Sequence, residues 1–259
     1  LDLNGRVAIV TGGGGGLGAA TVRHLAGVGM KVVVFDKFAD KAEAVAKELD
    51  DGVAAAVGGD TTVDEDVQAA IDAARSLGGP VSLLVNVAGG GVGGGRLVGK
   101  GNRAHDKDAF IQTQSMNVLG TFNVSRLVVA GVFADNEPDE YGQRGVIVNV
   151  GSLAGLEGQT GQIAYGSAKA AILGMTLPMA RDLAPLGVRV CAIAPGTMGT
   201  PIMKGVAPAM LENLTKDIVF PKRLGHPEEF ALLVESIARN DYLNGENIRL
   251  DGALRFAPK

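Results

Sequence analysis

Short, mainly apolar runs alternate along this chain with longer stretches in which apolar residues recur every three or four positions. Residues 6–11, 31–36, 53–57 and 81–85 are runs of five or six residues, the pattern of strands buried on both faces. Residues 16–29, 39–50 and 63–77 lie between them with helical spacing. The last of these opens on Asp64, Glu65 and Asp66, acids at the favourable end of a helix dipole. The second half repeats the rhythm, with strands expected at 145–150, 188–194 and 247–250 and helices at 107–134, 163–183 and 227–238. Pro227 opens the last helix, where its missing N–H costs least.

This alternation predicts an α/β fold. One parallel sheet carries helices on both faces, and right-handed crossovers make it doubly wound. No repeat or boundary interrupts it, so residues 1–259 are expected to form a single domain. Two segments break the rhythm. Residues 89–106 are rich in glycine, and 195–225 carry Pro195, Pro201, Pro208 and Pro221 with weakly helical patches. Long irregular segments in compact domains tend to be functional.

Composition narrows the class. Hydrophobic residues make up 46% and charged residues 20%, an ordinary balance for a globular protein. Aromatics are only 4%, so Val, Ile, Leu and Ala must build the core. The net charge of −4 argues against general binding to nucleic acid or an anionic membrane. No continuous apolar run approaches the ~18 residues that span a bilayer, so no membrane partner is expected. His24, His105 and His226 are far apart and show no metal-ligand spacing. The lone Cys191 cannot form an internal disulfide; it fits a reducing compartment and reads as an inert strand residue. The N-terminus has no signal-peptide pattern. The expectation is a cytoplasmic protein, or a mitochondrial matrix protein whose targeting segment was removed.

Residues Thr11 to Gly18 contain five consecutive glycines, Gly12 to Gly16, followed by Leu17 and Gly18. They lie between the first strand and the first helix. Glycine there lets backbone approach a pyrophosphate, and the helix N-terminus offers free N–H groups and a positive dipole. A glycine run alone also makes a flexible turn; its placement favours the dinucleotide. Asp36 ends the second strand about 20 residues on, where a carboxylate accepts from ribose hydroxyls and repels the 2′-phosphate of NADP. It also fits a solvated loop acid. Lys37 is the neighbour that could soften the preference for NAD. Asp60 follows the third strand and Asn86 to Gly89 the fourth, on the same sheet edge.

Tyr165 and Lys169 are four apart, one helical turn. A phenol normally titrates near 10. A neighbouring ammonium and a cationic nicotinamide would stabilise phenolate, which could then take a proton from an alcohol as hydride leaves. Ser152 follows the strand 145–150 on the same edge and can hold the substrate oxygen. Each of these occurs often by chance; in this order with the glycine loop they reinforce one another.

Together these residues resemble the short-chain dehydrogenase/reductase family over the whole chain. The matching pieces are Thr11-Gly-x-x-x-Gly-Leu-Gly18, Asn86-Val-Ala-Gly89, Asn117, Ser152, Tyr165-x-x-x-Lys169 and Pro195-Gly196. The resemblance implies a Rossmann-type sheet of seven parallel strands. It implies Tyr165 as acid/base, Lys169 as ribose anchor, Ser152 as substrate orienter, and Asn117 at a helix kink holding a relay water. NAD contacts carried over are Gly12, Gly15, Gly16, Leu17, Gly18, Asp36, Asp60, Thr61, Asn86, Val87, Ala88, Gly89, Tyr165, Lys169, Pro195, Gly196 and Met198. Val87 stands where many members have Asn, and the glycine run lacks the polar side chain often found there. A phosphate contact would therefore come from backbone.

Residues 136–138, 142–146, 174–185, 220–225 and 243–253 resemble one branch more closely: NAD-linked enzymes that oxidise L-3-hydroxyacyl-CoA and form homotetramers. That implies a covering loop at 195–225 over the substrate, with Gln159 and Gln162 facing it. The alternatives are a hydroxysteroid or other secondary-alcohol dehydrogenase, a non-catalytic NAD-binding scaffold, and an NADPH-linked ketoacyl reductase. Asp36 argues against the last.

Overall fold

A computed structural model describes residues 1–203 and 207–258, with the backbone alone at 202, 208–210 and 213. Seven parallel strands form one sheet: β1 (Val7–Thr11), β2 (Lys31–Asp36), β3 (Ala54–Gly58), β4 (Val81–Asn86), β5 (Gly145–Val150), β6 (Val188–Pro195) and β7 (Asn247–Leu250). Their order is β3-β2-β1-β4-β5-β6-β7. The order reverses between β1 and β4, the switch point where ligands bind in such sheets. Thr11 pairs with Asn86, and Asn86 with Asn149. The carboxyl ends therefore lie side by side.

Side-chain alternation explains why both faces are apolar. Ala8, Val10, Val32, Val34, Leu83 and Val85 face one core, with Val22 and Leu25 of α1 (Gly16–Gly27) and Phe230 and Val234 of α8 (Pro227–Arg239). α2 (Ala39–Ala46) adds Ala42 and Val45 on the same side. Val7, Ile9, Val33, Phe35 and Leu84 face the other, with Val67 and Ile71 of α3 (Asp64–Ser76) and Val124 and Val128 of α5 (Gly120–Val128). Cys191 is fully buried in β6. Burial pushes its thiol up from its ordinary value, as expected of an inert strand residue.

The helix expected over 107–134 is composite. α4 (Lys107–Gln114) runs through a π-helical turn at Ser115–Leu119 into α5, and a second π turn covers Val129–Phe133. Polar residues such as Asn117, Thr121 and Ser125 interrupt its sequence as an apolar run. Even so, the 27-residue helix is long and apolar enough to cross a membrane, with a mean hydropathy of 1.3 in its most apolar stretch. In the fold, 56% of that stretch is buried, largely against α3 and α6 (Ile163–Leu183).

The helix expected over 39–50 stops at Ala46. The next N–H groups close back on Glu43, Val45 and Ala46, and Gly52 takes φ +77° in the turn to β3. Residues 195–225 form a 3₁₀ turn at Pro201–Met203 and α7 (Pro208–Thr215). Residues 204–206 of the expected covering loop lie outside the described residues.

Candidate active site

The turn from β1 to α1 is pressed against the end of β4. Gly12 has φ +63°, and a Cβ there would lie 2.9 Å from the Ala88 amide nitrogen. At Gly18 a Cβ would overlap the Gly12 carbonyl. Only glycine fits either place. The α1 cap position is Gly15, which has no side chain to satisfy the first-turn N–H groups, and that turn holds no acid. An anionic pyrophosphate fits this uncapped helix end.

Asp36 is 9% exposed. Its carboxylate oxygens accept from the Gly14 N–H and the Phe38 N–H, each at 3.0 Å. The acid is thus fixed beside the glycine turn rather than solvated in a loop. Lys37 reaches away to Asp60 at 3.0 Å. The Thr62 N–H, its hydroxyl and Lys37 hold Asp60 below the ordinary carboxylate range against partial burial. Thr61 lies beside it, its carbonyl accepting from Asn123 Nδ2 at 3.0 Å.

α6 presents Tyr165 and Lys169 one turn apart on one face. Lys169 is 4% exposed, and its Nζ donates to the Val150 carbonyl at 2.8 Å. Burial pulls its pKa down to about 8. At Tyr165, burial pushes the phenol above the ordinary value, the Ser152 hydroxyl acting in the opposite sense. Lys169 Nζ sits 5.8 Å from the Tyr165 ring centre and is hydrogen-bonded to the Val150 carbonyl. Lys169 Nζ is therefore bonded to the end of β5, with the phenol ring beside it. Ser152 leaves β5 in extended conformation, its Oγ accepting from the Ala154 N–H at 3.1 Å.

Asn117 is fully buried in the first π turn. Its Nδ2 donates to the Thr113 and Gly90 carbonyls, both at 2.7 Å, and its Oδ1 accepts from the Gly90 N–H at 3.2 Å. It ties the composite helix to the loop after β4. The Gly89 backbone in that loop lies against Lys169 Nζ, and Gly91 against the Tyr165 ring.

Two of the expected residues have their amide nitrogens engaged within the chain. Asn86 is 2% exposed, and its Nδ2 donates to Ser125 Oγ and Asn149 Oδ1. Its side chain joins β4, β5 and α5 beneath the edge. Gln159 donates to the Ala257 carbonyl at 3.1 Å, so its amide is engaged with the C-terminal segment. Gln162, by contrast, has a buried Oε1 with no partner among the described residues. Elsewhere on the edge, Val87 packs against the core, the Ala88 N–H donates to Thr11 Oγ1 at 3.1 Å, and Met198 is 8% exposed against Gly225. Pro195 ends β6, with the Gly196 N–H donating to the Leu250 carbonyl at 2.9 Å.

Thr200 was not expected. Its side chain packs onto Gly16 of the glycine turn. Its position after β6, on the shared sheet edge, is the sequence signal that could have found it.

A doubly wound sheet with this loop, this fixed acid and this Tyr–Lys–Ser group defines a nicotinamide-dependent oxidoreductase of the Rossmann type. The chain belongs to the short-chain dehydrogenase family, whose model matches residues 6–210. It is 47% identical over 257 residues to 3-hydroxyacyl-CoA dehydrogenase type-2 of Bos taurus, covering 99% of this chain and 98% of that one. The crystal structure of 3-hydroxyacyl-CoA dehydrogenase type-2 from Mycobacterium avium superposes with a TM-score of 0.95 at 47% identity, covering 98% of each chain. A 3-ketoacyl-(acyl-carrier-protein) reductase from Brucella melitensis, complexed with NADH, superposes at 0.84 with 29% identity, covering 97% of this chain and 98% of that one.

Proposed function

We propose that this protein catalyses the reversible, NAD-dependent oxidation of L-3-hydroxyacyl-CoA to 3-ketoacyl-CoA. The observation that carries the reaction type is Tyr165 held over buried Lys169, with Ser152 facing the same edge as the uncapped glycine turn. The substrate class comes from the relatives, named 3-hydroxyacyl-CoA dehydrogenase type-2 at 47% identity over nearly the whole chain.

When bound, the oxidised dinucleotide supplies the hydride acceptor and a cationic ring. Ser152 Oγ holds the substrate hydroxyl by hydrogen bond. Tyr165 Oη takes its proton as the C–H pair leaves the carbon, and returns it in the reduction direction. Lys169 holds ribose hydroxyls and supplies positive charge beneath Tyr165. Asn117 positions the Gly90 backbone and gives the relay its fixed wall. Gly12, Gly15, Gly16, Leu17 and Gly18 face the pyrophosphate with backbone, and Asp36 takes the adenosine ribose hydroxyls. Asp60, Thr61, Val87, Ala88 and Gly89 surround the adenosine side. Pro195, Gly196 and Met198 contribute backbone at the nicotinamide end. Gln162 faces the substrate, its buried oxygen, without a partner among the described residues, supporting that placing.

The fixed carboxylate of Asp36 supports NAD over NADP, since a 2′-phosphate would meet it at close range. Ile111, Phe122 and Leu177 stand 52%, 49% and 44% exposed on α4, α5 and α6, uncovered apolar surface that supports a homotetramer. A reducing compartment, cytoplasm or mitochondrial matrix, suits the unpaired Cys191, and the reaction belongs to fatty acid metabolism.

Initial rates with NAD or NADP, on L-3-hydroxybutyryl-CoA and a hydroxysteroid, test the proposal. Fast NAD-linked turnover of the thioester is expected. Turnover of the steroid alone would keep the chemistry and overturn the substrate; a preference for NADP would overturn the role of Asp36.

A further inference from the structure

Residues 251–258 follow β7 and do none of the chemistry above, yet they are bonded along most of their length. The chain turns back at Gly252 and Ala253, with φ +60° and +63°, and the Asp251 carboxylate accepts from the Ala253 N–H at 2.9 Å. From there it runs between two other segments. On one side the Gly252 carbonyl accepts from the Val219 and Phe220 N–H groups, at 3.0 and 3.2 Å. These residues belong to the far end of the segment 195–225. On the other side the Phe256 N–H donates to Glu157 at 2.8 Å, the Ala257 carbonyl accepts from Gln159 at 3.1 Å, and the Pro258 carbonyl accepts from the Thr160 N–H at 3.0 Å. Arg249 bridges the two, donating to the Leu254 carbonyl at 2.9 Å and to Glu157 at 2.8 Å.

These bonds enclose a small apolar cluster that stands apart from the two main cores. Leu153, Ile218 and Leu254 are all buried in it, and Phe256 packs against them. Its members come from three distant parts of the chain. One of them, Leu153, is the residue after Ser152.

The turn Leu153–Gly155 that carries the Ser152 hydroxyl is therefore held from two sides. α6 holds one side: a Cβ on Gly155 would lie 2.7 Å from the Ala170 amide nitrogen, so the turn lies flat on the helix that carries Tyr165 and Lys169. Leu254 and Ile218 hold the other side through Leu153. A hydroxyl on so short a turn depends on both contacts for its distance from Tyr165. Removing a buried apolar side chain leaves a space into which its neighbours relax only in part. A small displacement of a group that orients the reacting atoms is costly in rate.

We propose that residues 251–258 form a strap that fixes Ser152 against Tyr165, with Leu254 as a positioning residue that acts through Leu153. This rests on the reading of Ser152 as the holder of the substrate oxygen. Ile218 shares the cluster, so the strap also keeps the far end of 195–225 in register with the Ser152 turn.

A double-mutant cycle tests the strap. Turnover of L-3-hydroxybutyryl-CoA, or of the hydroxysteroid if that is the alcohol oxidised, is compared for wild type, Leu254→Ala, Ser152→Ala and the double variant. Leu254→Ala is expected to lower kcat about tenfold, with the dissociation constant for NAD unchanged. In the Ser152→Ala background the same change should cost nothing further, because the group it positions is gone. Losses that multiply in the double variant would overturn the strap and leave the role of Ser152 standing. Normal turnover by Ser152→Ala alone would overturn that role and the strap with it, as would a wild type inert on both alcohols. Leu254→Met refills the cluster and should keep most of the kcat. Leu254→Val should lose less than Leu254→Ala and serves if alanine prevents folding. The pH profile gives a second readout and decides where the double variant is too slow to measure. The Ser152 hydroxyl acts to lower the Tyr165 phenol, so the acid limb of kcat/KM for oxidation should move to higher pH in Leu254→Ala, as in Ser152→Ala. A lowered kcat with an unmoved limb would make Leu254 a packing residue only and overturn the proposal.

Discussion

Asp36 and Arg96 carry opposite charges, one at the end of β2 and the other on the segment that follows β4, and they are held in opposite ways. Asp36 ends a buried strand, is 9% exposed, and has both oxygens fixed by backbone N–H groups. Arg96 stands on a ribbon at the surface with no carboxylate partner among the described residues. The dinucleotide side is thus preorganised by the sheet, where low exposure makes each charge count. The substrate side is assembled from loops in solvent, where charge guides and screening dilutes. Changes on the first side should therefore be large and insensitive to salt, and changes on the second small and salt-dependent.

The largest effect is expected at the reacting centre. Tyr165→Phe removes the only proposed proton carrier while keeping the ring that Gly91 packs against. Turnover should fall by about 10²–10⁴, with the dissociation constant for NAD unchanged in a binding titration. A variant that keeps near-normal turnover would remove Tyr165 from the mechanism.

Lys169 comes next. Burial lowers it from 10.5 to about 8, so between those values the unfolded chain binds more protons than the folded one. Stability contributed by this group therefore rises as pH climbs through that window. Below about pH 8 the folded state bears the whole cost of the buried ammonium, about 3 kcal/mol. The wild-type Tm should climb relative to that of Lys169→Met across this range in calorimetric scans. Parallel curves for the two proteins would mean that the ammonium is not disfavoured by the fold.

Asp36→Asn keeps an acceptor for one backbone N–H and removes the charge. The ratio of kcat/KM for NAD over NADP should drop by about tenfold or more, since one screened charge contact is worth at least about 1.4 kcal/mol. An unchanged ratio would mean that cofactor choice is made elsewhere on the edge.

The same contrast governs what could be read from the sequence. β2, β5, β7 and α6 fall where periodicity puts them, because a strand buried on both faces or a long helix declares itself locally. Tyr165, Lys169, Asp36 and the glycine turn are legible for a similar reason: their chemistry depends on spacing within one element or one strand–helix junction. The π turns at Ser115–Leu119 and Val129–Phe133 leave no periodic signal, since one extra residue per turn is absorbed inside a continuous helix. What the side chains of Asn86 and Gln159 touch was not legible, because their partners, Ser125, Asn149 and Ala257, are distant in sequence. The bond from Lys169 Nζ to the Val150 carbonyl, 19 residues away, could be known only from the fold.

The smallest effect tests the substrate side away from its cations. Glu157 follows the turn at Leu153–Gly155, accepts from Arg249 Nη1 at 2.8 Å and from the Phe256 N–H at 2.8 Å, and so ties the loop leading to Gln162 to β7 and the C-terminal segment. Partial burial would raise its pKa, but Arg249 and the Phe256 N–H outweigh it and bring the carboxyl below its ordinary 4.5. The stabilisation is therefore complete above about pH 4.5 and is lost as pH falls through the lower folded value. Glu157→Gln keeps an acceptor for Phe256 and removes the ion pair. The pair is partly exposed, with side chains 25% and 22% accessible, so the stability loss near neutral pH should be about 1 kcal/mol or less. The variant should also lose less of its stability than the wild type on acidification below pH 4.5. Because the loop leads to Gln162, KM for the thioester should rise a few-fold while KM for NAD stays put. An equal rise in both would mean that Glu157 supports the sheet edge as a whole, and that the division between a rigid cofactor side and an adjustable substrate side is drawn in the wrong place.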